Sequence, residues 1–175
     1  LLIVDPTQRI GQQDLKLAQL ITNARSSVII VSNKVDLLED TDLDLKKLPA
    51  ALMHTFNVID WAPIILTSAL TGKNTHKLFD LIVSVYNNYS QTILQPDLDV
   101  VRKKLVKKQT PPRKKPLGRK GTRAYKVKNP PRIVNLKQVS TQPPHFEIVY
   151  RGVGILPANY LRYFEKGIRE AFELT

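Results

Sequence analysis

The 175 residues contain no cysteine. Disulfides and thiolate metal sites are thereby excluded, which fits a reducing compartment such as the cytoplasm or an organelle stroma. No apolar run approaches the ~18 residues that a membrane-spanning helix needs, so no membrane partner is expected. A charged leader followed by an apolar core, the mark of a secretory signal, is also missing. The chain opens at Leu1 inside an apolar run, not at Met, and reads as a piece of a longer protein. The three histidines, His54, His76 and His145, are scattered without paired ligands, and Asp60 and Asp80 read as caps or surface charges. No catalytic or metal-ligating residue is therefore assigned. Two further absences matter. There is no G-x-x-x-x-G-K-[S/T] loop and no Asp-x-x-Gly. The residues that cradle nucleotide phosphates, hold their Mg²⁺ and position the attacking water of a GTPase are thus not in this sequence.

Acid is scarce in the second half. Residues 1–90 carry eight Lys/Arg against nine Asp/Glu, and residues 91–175 carry nineteen against six, within a net charge of +12. Such a split predicts two units with different partners, the second facing a polyanion.

What is present starts with Ser27-Val28-Ile29-Ile30-Val31-Ser32-Asn33-Lys34-Val35-Asp36. A β-branched run of strand length delivers Asn-Lys-x-Asp at its end, where open parallel sheets bind ligands. The Asp36 carboxylate can accept from the two N–H donors on the Watson–Crick edge of guanine, a pair adenine does not offer. The Asn33 amide can both donate and accept, which suits N7 of the base and a neighbouring loop. The Lys34 stem can lie along the flat face of the base.

Around this stretch the periodicity predicts strand and helix three times. Strands are expected over 1–4, 27–32 and 62–67. Helices are expected over 12–25, 43–56 (weakened by Pro49) and 75–89. The expected apolar stripes are Leu15, Ala18, Leu20 and Ile21, then Leu45, Leu48, Leu52 and Phe56, then Leu78, Leu81, Ile82, Val85 and Tyr89. The pattern is that of an α/β unit, a partial P-loop GTPase parallel sheet of three strands. Right-handed crossovers then bring the loops after Asp5, Ser32 and Thr67 to one sheet edge. There, Ser68-Ala69-Leu70 is a second guanine signal: the Ala69 N–H faces O6, where adenine carries a clashing amino donor. Alone it is a weak signal. Behind Asn-Lys-x-Asp, in this order, it is strong.

A helix with Leu98, Val101 and Leu105 inward is expected over 97–108. From Arg102 to Arg132 there are fourteen Lys/Arg in 31 residues and no acid. The Pro- and Gly-rich part of that stretch cannot pack a core. It reads either as a solvated linker or as an arm for phosphate backbones, carried by Lys103, Lys104, Lys107, Lys108, Arg113, Lys114, Lys115, Arg119, Lys120 and Arg123. Strands are expected over 133–139 and 145–150, with a break at Pro143-Pro144. A helix to about Glu173 follows, with Leu161, Phe164, Ile168, Ala171 and Phe172 inward and a cationic stripe of Arg162, Lys166 and Arg169. This is a small α+β unit in which a further strand would complete the sheet. The expected domains are 1–90, a helix and basic linker over 91–132, and 133–175.

Gln138 with Ser140-Thr141-Gln142-Pro143-Pro144-His145-Phe146, then Tyr160-Leu161-Arg162-Tyr163-Phe164-Glu165, resembles the KH-like domain of the Der (EngA) family of ribosome-assembly GTPases. Asp5, Gln13-Asp14, Asn33-Lys34-Val35-Asp36 and Ser68-Ala69-Leu70 resemble the latter half of that family's second GTPase domain. Val35 departs from the Trp often found there. The resemblance implies GTP or GDP as ligand, with Mg²⁺ held by residues outside this chain. It assigns base binding to Asn33, Lys34, Asp36, Ser68, Ala69 and Leu70. It also implies the large ribosomal subunit and ribosomal RNA as partners, with no DNA expected. The alternative from another class is a non-enzymatic RNA-binding module on a degenerate GTPase scaffold.

Overall fold

The computed structural model describes residues 1–38, 44–112, 131–152 and 155–174. They divide into two compact units, Leu1–Ser90 and Gln91–Leu174.

The first unit is built on three short parallel strands in the order β1-β2-β3: β1 is Leu2–Val4, β2 Ile30–Ser32 and β3 Ile64–Leu66. Leu2 lies opposite Ile30 and Ile30 opposite Ile64, so the chain direction is the same throughout. Parallel neighbours require crossovers, and helices supply them. Helix α1 (Gln12–Asn23) begins where the Asp14 carboxylate accepts from the Gly11 N–H at 2.9 Å. It ends at Arg25, which takes φ 53°. Helix α2 is Leu48–Thr55, shorter than the 43–56 expected, and places Pro49 in its first turn, where a missing N–H costs nothing. Helix α3 is Thr75–Tyr89.

Alternation along β2 splits the core. On one side of the sheet Leu2, Val4, Val28 and Ile30 pack with Ala18, Leu52, Phe56 and Ile59. On the other, Ile29 and Val31 pack with Val85, joined by Ile65, Leu78 and Leu81. The expected stripe of α1 is corrected: Ala18 is buried and Ile21 packs on the core, but Leu15 and Leu20 are exposed. Leu20 stands two residues after Ala18, about 160° around the helix from it, so it cannot share the buried face; Leu15, one turn before Ala18, is left uncovered.

In the second unit, α4 (Gln95–Lys108) precedes the antiparallel hairpin β4 (Arg132–Thr141) and β5 (Pro144–Arg151), and α5 (Ala158–Phe172) follows. The expected break at Pro143-Pro144 is the hairpin turn itself, and Pro144 already pairs with Thr141. Leu98, Leu105, Ile133, Leu136, Tyr160, Phe164 and Ile168 form one core. Tyr160, not Leu161, faces inward on α5; Leu161 is exposed. The two sequence blocks that carried the resemblance hold this core together. The Gln138 amide acts as a backbone substitute. Its Oε1 accepts from the Ile93 N–H at 2.8 Å and its Nε2 donates to the Gln91 carbonyl at 2.8 Å. The Tyr160 hydroxyl donates to the Gln109 carbonyl at 2.9 Å, and the Tyr163 hydroxyl to the Leu105 carbonyl at 2.9 Å. Both serve the C-terminal end of α4: the Gln109 carbonyl lies past the last turn, and the Leu105 carbonyl takes the tyrosine as a second donor beside the Gln109 N–H. No helix among the described residues is long and apolar enough to cross a membrane.

Candidate nucleotide-base site and basic helix

Parallel strands place the three loops at one edge, and side chains close them into a site. Val35 N–H donates to the Thr67 carbonyl at 3.1 Å, and Asn33 N–H to the Val4 carbonyl at 2.9 Å. The backbone thus ties the Asn33–Asp36 turn to β1 on one side and to the β3 end on the other. Val35 is buried and starts a 3₁₀ turn through Leu38, which lifts Asp36 out of the strand direction.

Asn33 Oδ1 accepts from the Ala69 N–H at 2.9 Å. The sequence predicts that this N–H faces guanine O6; in the structure it is bonded to Asn33, in the loop after β2. Lys34 takes φ 67°, a left-handed conformation uncommon for a side chain of its size. Its Nζ lies 2.7 Å from Asp5 Oδ2. Asp5 is itself fixed: its Oδ1 accepts from the Thr7 N–H at 3.0 Å and from the Thr7 hydroxyl at 2.6 Å. The Lys34 ammonium first, then the Thr7 donors, hold the Asp5 carboxyl down to about 2. Among the described residues, Asp36 Oδ1 is buried with no hydrogen-bond partner. A buried carboxylate oxygen without a donor is costly, and the N–H edge of a guanine is the kind of group that would satisfy it.

The remaining predicted residues divide. Ser68 is fully buried and shapes its own loop: its N–H donates to the Lys73 carbonyl at 3.1 Å, and its Oγ accepts from the Thr71 N–H at 3.1 Å. Leu70 stands at the loop tip, 86 % exposed. The loop closes through Asn74, whose Nδ2 donates to the Leu66 carbonyl at 2.9 Å. The sequence places the loop after Asp5 at this edge but assigns Asp5 and Thr7 no part in the site. The signal was there, since a carboxylate ending a parallel strand shares an edge with the next loop. Among the described residues, no group of three or more His, Asp or Glu is placed to hold a metal ion.

The basic residues lie in the second unit. Lys103, Lys104, Lys107 and Lys108 are exposed on the last two turns of α4. Arg102, on the same helix, is committed to Asp99 at 3.2 Å and to the Ile133 carbonyl at 3.4 Å. The expected stripe on α5 is partly neutralised: Arg162 and Lys166 are exposed, whereas Arg169 pairs with Glu165 at 3.3 Å. Arg113, Lys114, Lys115, Arg119, Lys120 and Arg123 lie outside the described residues. Among them the sequence reads Gly118-Arg119-Lys120-Gly121.

Residues 1–88 match the elongation factor Tu GTP-binding domain family. Residues 93–175 match the KH-domain-like C-terminal domain of EngA bacterial GTPase enzymes. Among individual proteins, the chain is 30 % identical over 176 aligned residues to "GTPase Der" of Leuconostoc mesenteroides subsp. mesenteroides, covering all of this chain and 37 % of that protein. It is 27 % identical to "GTPase Der" of Clostridium novyi, again over the whole chain and 37 % of the relative. To "GTPase Der" of Synechococcus sp. (strain JA-3-3Ab) it is 29 % identical over the whole chain and 36 % of the relative. The chain thus spans little more than a third of the length of these relatives.

Proposed function

Since the chain belongs to the Der (EngA) family of GTPases, joining an elongation-factor-type GTP-binding domain to the EngA KH-like domain, we propose that it reads guanine and binds ribosomal RNA. In this reading Asp36 accepts from the base, Asn33 meets N7 through the amide nitrogen left over once Oδ1 is engaged, and Lys34 lies along the ring. Ser68 and Ala69 shape the wall facing O6, with Leu70 at its rim. GTP or GDP is the ligand. Bound Mg²⁺ and the phosphates would be held by residues outside this chain, because the sequence contains no phosphate loop. The four exposed lysines at the end of α4 supply phosphate contacts, extended by the basic residues that follow. The partner is ribosomal RNA of the large subunit, and the setting is assembly of that subunit in the cytoplasm or an organelle stroma.

The observation that carries the base assignment is Asp36 Oδ1, buried without a hydrogen-bond partner among the described residues, at the edge where three loops converge. Asp36→Asn in the full-length protein tests it. Guanosine diphosphate should bind about 10²-fold more weakly, the worth of two charge-assisted hydrogen bonds. Xanthosine diphosphate, which carries a carbonyl where guanine has its amino group, should bind better than to the unaltered protein. Unchanged preference overturns the assignment. A protein that binds RNA but no nucleotide would instead be an RNA-binding module on a GTPase-type scaffold.

A further inference from the structure

We propose that Asp5 is a positioning residue for the guanine base: by holding the Lys34 ammonium at the end of β1, it lays the lysine stem across the sheet edge before a base arrives. The proposal rests on the assignment of Asn33–Asp36 to base recognition made above. Lys34 belongs to the loop after β2, and its Nζ is 2.7 Å from a carboxylate that ends β1. Neighbouring strands lie about 4.8 Å apart, so the methylene stem must bridge from one strand end to the next. That is the carboxyl edge of a parallel sheet, where ligands bind. A lysine stem free in water has rotamer freedom to lose when a ring stacks on it, and a stem pinned in advance has already lost it.

Three observations make the pairing more than a chance surface contact. Asp5 is oriented independently of Lys34, because its other oxygen is taken by the Thr7 N–H and hydroxyl. The peptide that follows Lys34 in its left-handed conformation is fixed at both its carbonyl and its N–H. The Leu37 N–H donates to the Lys34 carbonyl at 3.1 Å, and the following Val35 N–H is bonded to Thr67. The Lys34 side chain also remains 53 % exposed while paired, so one face of the stem is open to a ligand.

The test is a double-mutant cycle on guanosine diphosphate affinity in the full-length protein, using Asp5→Asn, Lys34→Ala and both together. Asn keeps an oxygen for Thr7 but loses the charge. Asp5→Asn should weaken binding about fivefold, the upper end for a partly exposed ion pair. The double variant should be no weaker than Lys34→Ala alone, and Asp5→Glu should recover part of the loss. The affinity loss should persist when binding is measured well below the melting temperature of each nucleotide-free variant, which a merely structural role would not predict. Additive losses, an Asp5→Asn protein of unaltered affinity, or a Lys34→Ala protein of unaltered affinity would each overturn the proposal. The Asp36→Asn measurement separates the two ideas. If it moves preference toward xanthosine and the cycle is additive, only the role of Asp5 fails.

Discussion

The Ala69 N–H donates to Asn33 Oδ1 at 2.9 Å, joining two loops whose residues stand 36 positions apart. The bond orients the Asn33 amide. With its oxygen engaged, only the NH₂ group is left to meet an acceptor on a ligand. It also occupies the donor that the sequence assigns to guanine O6, so a base in this site would have to share or displace that bond.

Asn33→Ala should therefore act on both loops at once. Hydrogen exchange at the Ala69 amide should accelerate in the nucleotide-free protein, because its acceptor is gone. Guanosine diphosphate affinity should drop by about tenfold, as loss of one net hydrogen bond to each of loop and base implies. An Ala69 amide that exchanges at its original rate would show that the bond does not organise the loop.

The lysines of α4 make an ionic-strength prediction. If the basic residues engage six or more phosphates, RNA affinity should fall by about 10³ between roughly 50 and 200 mM salt. Replacing Lys103, Lys104, Lys107 and Lys108 by Ala should lower the log–log salt slope by about 3, at ~0.7 per phosphate on single strands. Circular dichroism should be unaltered, since all four are exposed and Ala favours helix. An unchanged slope would remove α4 from the RNA-binding surface.

Gly167 sets how closely α4 and α5 approach. A Cβ there would overlap Leu105 Cδ2 and stand 3.0 Å from Cδ1. Gly→Ala inside a helix ordinarily gains up to about 1 kcal/mol. Here Leu105 is buried and has little room to retreat. Overpacking of a close-packed core costs about 1–3 kcal/mol, so the sum should be destabilising. Chemical denaturation of Gly167→Ala should show a lower midpoint, and a raised midpoint would mean that Leu105 repacks freely.

Tyr160 predicts an alkaline limit. Burial, with Tyr163 adding to it, pushes its hydroxyl up to about 12 from an ordinary 10.0. A group whose folded pKa is raised holds its proton more tightly when folded. Its contribution to stability is complete below pH 10 and is lost as the pH rises toward about 12. Unfolding of the second unit should become easier across that window. Tyr160→Phe should flatten the dependence while losing about 1 kcal/mol at neutral pH, because the Gln109 carbonyl loses its donor.

The strand–helix order of the first unit, its parallel sheet and the meeting of the three loops could all be read from residues alone. Ser27–Asp36 carries its own logic: a β-branched run must be buried, and a parallel neighbour must be reached by a crossover. The inward faces of helices were read less well. Leu15 and Leu161 have the right period and are exposed, Leu20 lies across the helix from Ala18 and is exposed, and Tyr160 is buried. Periodicity says that a helix has an apolar side but not how much of it the neighbouring sheet can cover. Gln138 and the two tyrosines likewise gave a family resemblance without a reason. Their roles are hydrogen bonds to backbone groups 45 to 58 residues away, which no local pattern encodes.

By itself the sequence determined which chemistry is available: a carboxylate, an amide and a lysine at fixed spacing after a strand, no phosphate loop, and a net positive charge confined to one half. Those follow from composition and local order. Only the tertiary structure decided who engages whom. It brought Asp5 to Lys34 and Ala69 to Asn33, and it left Asp36 Oδ1 buried without a donor. Each of these depends on the lateral packing of strands that are distant in the chain. A separation of a few ångströms across a sheet has no counterpart in sequence spacing.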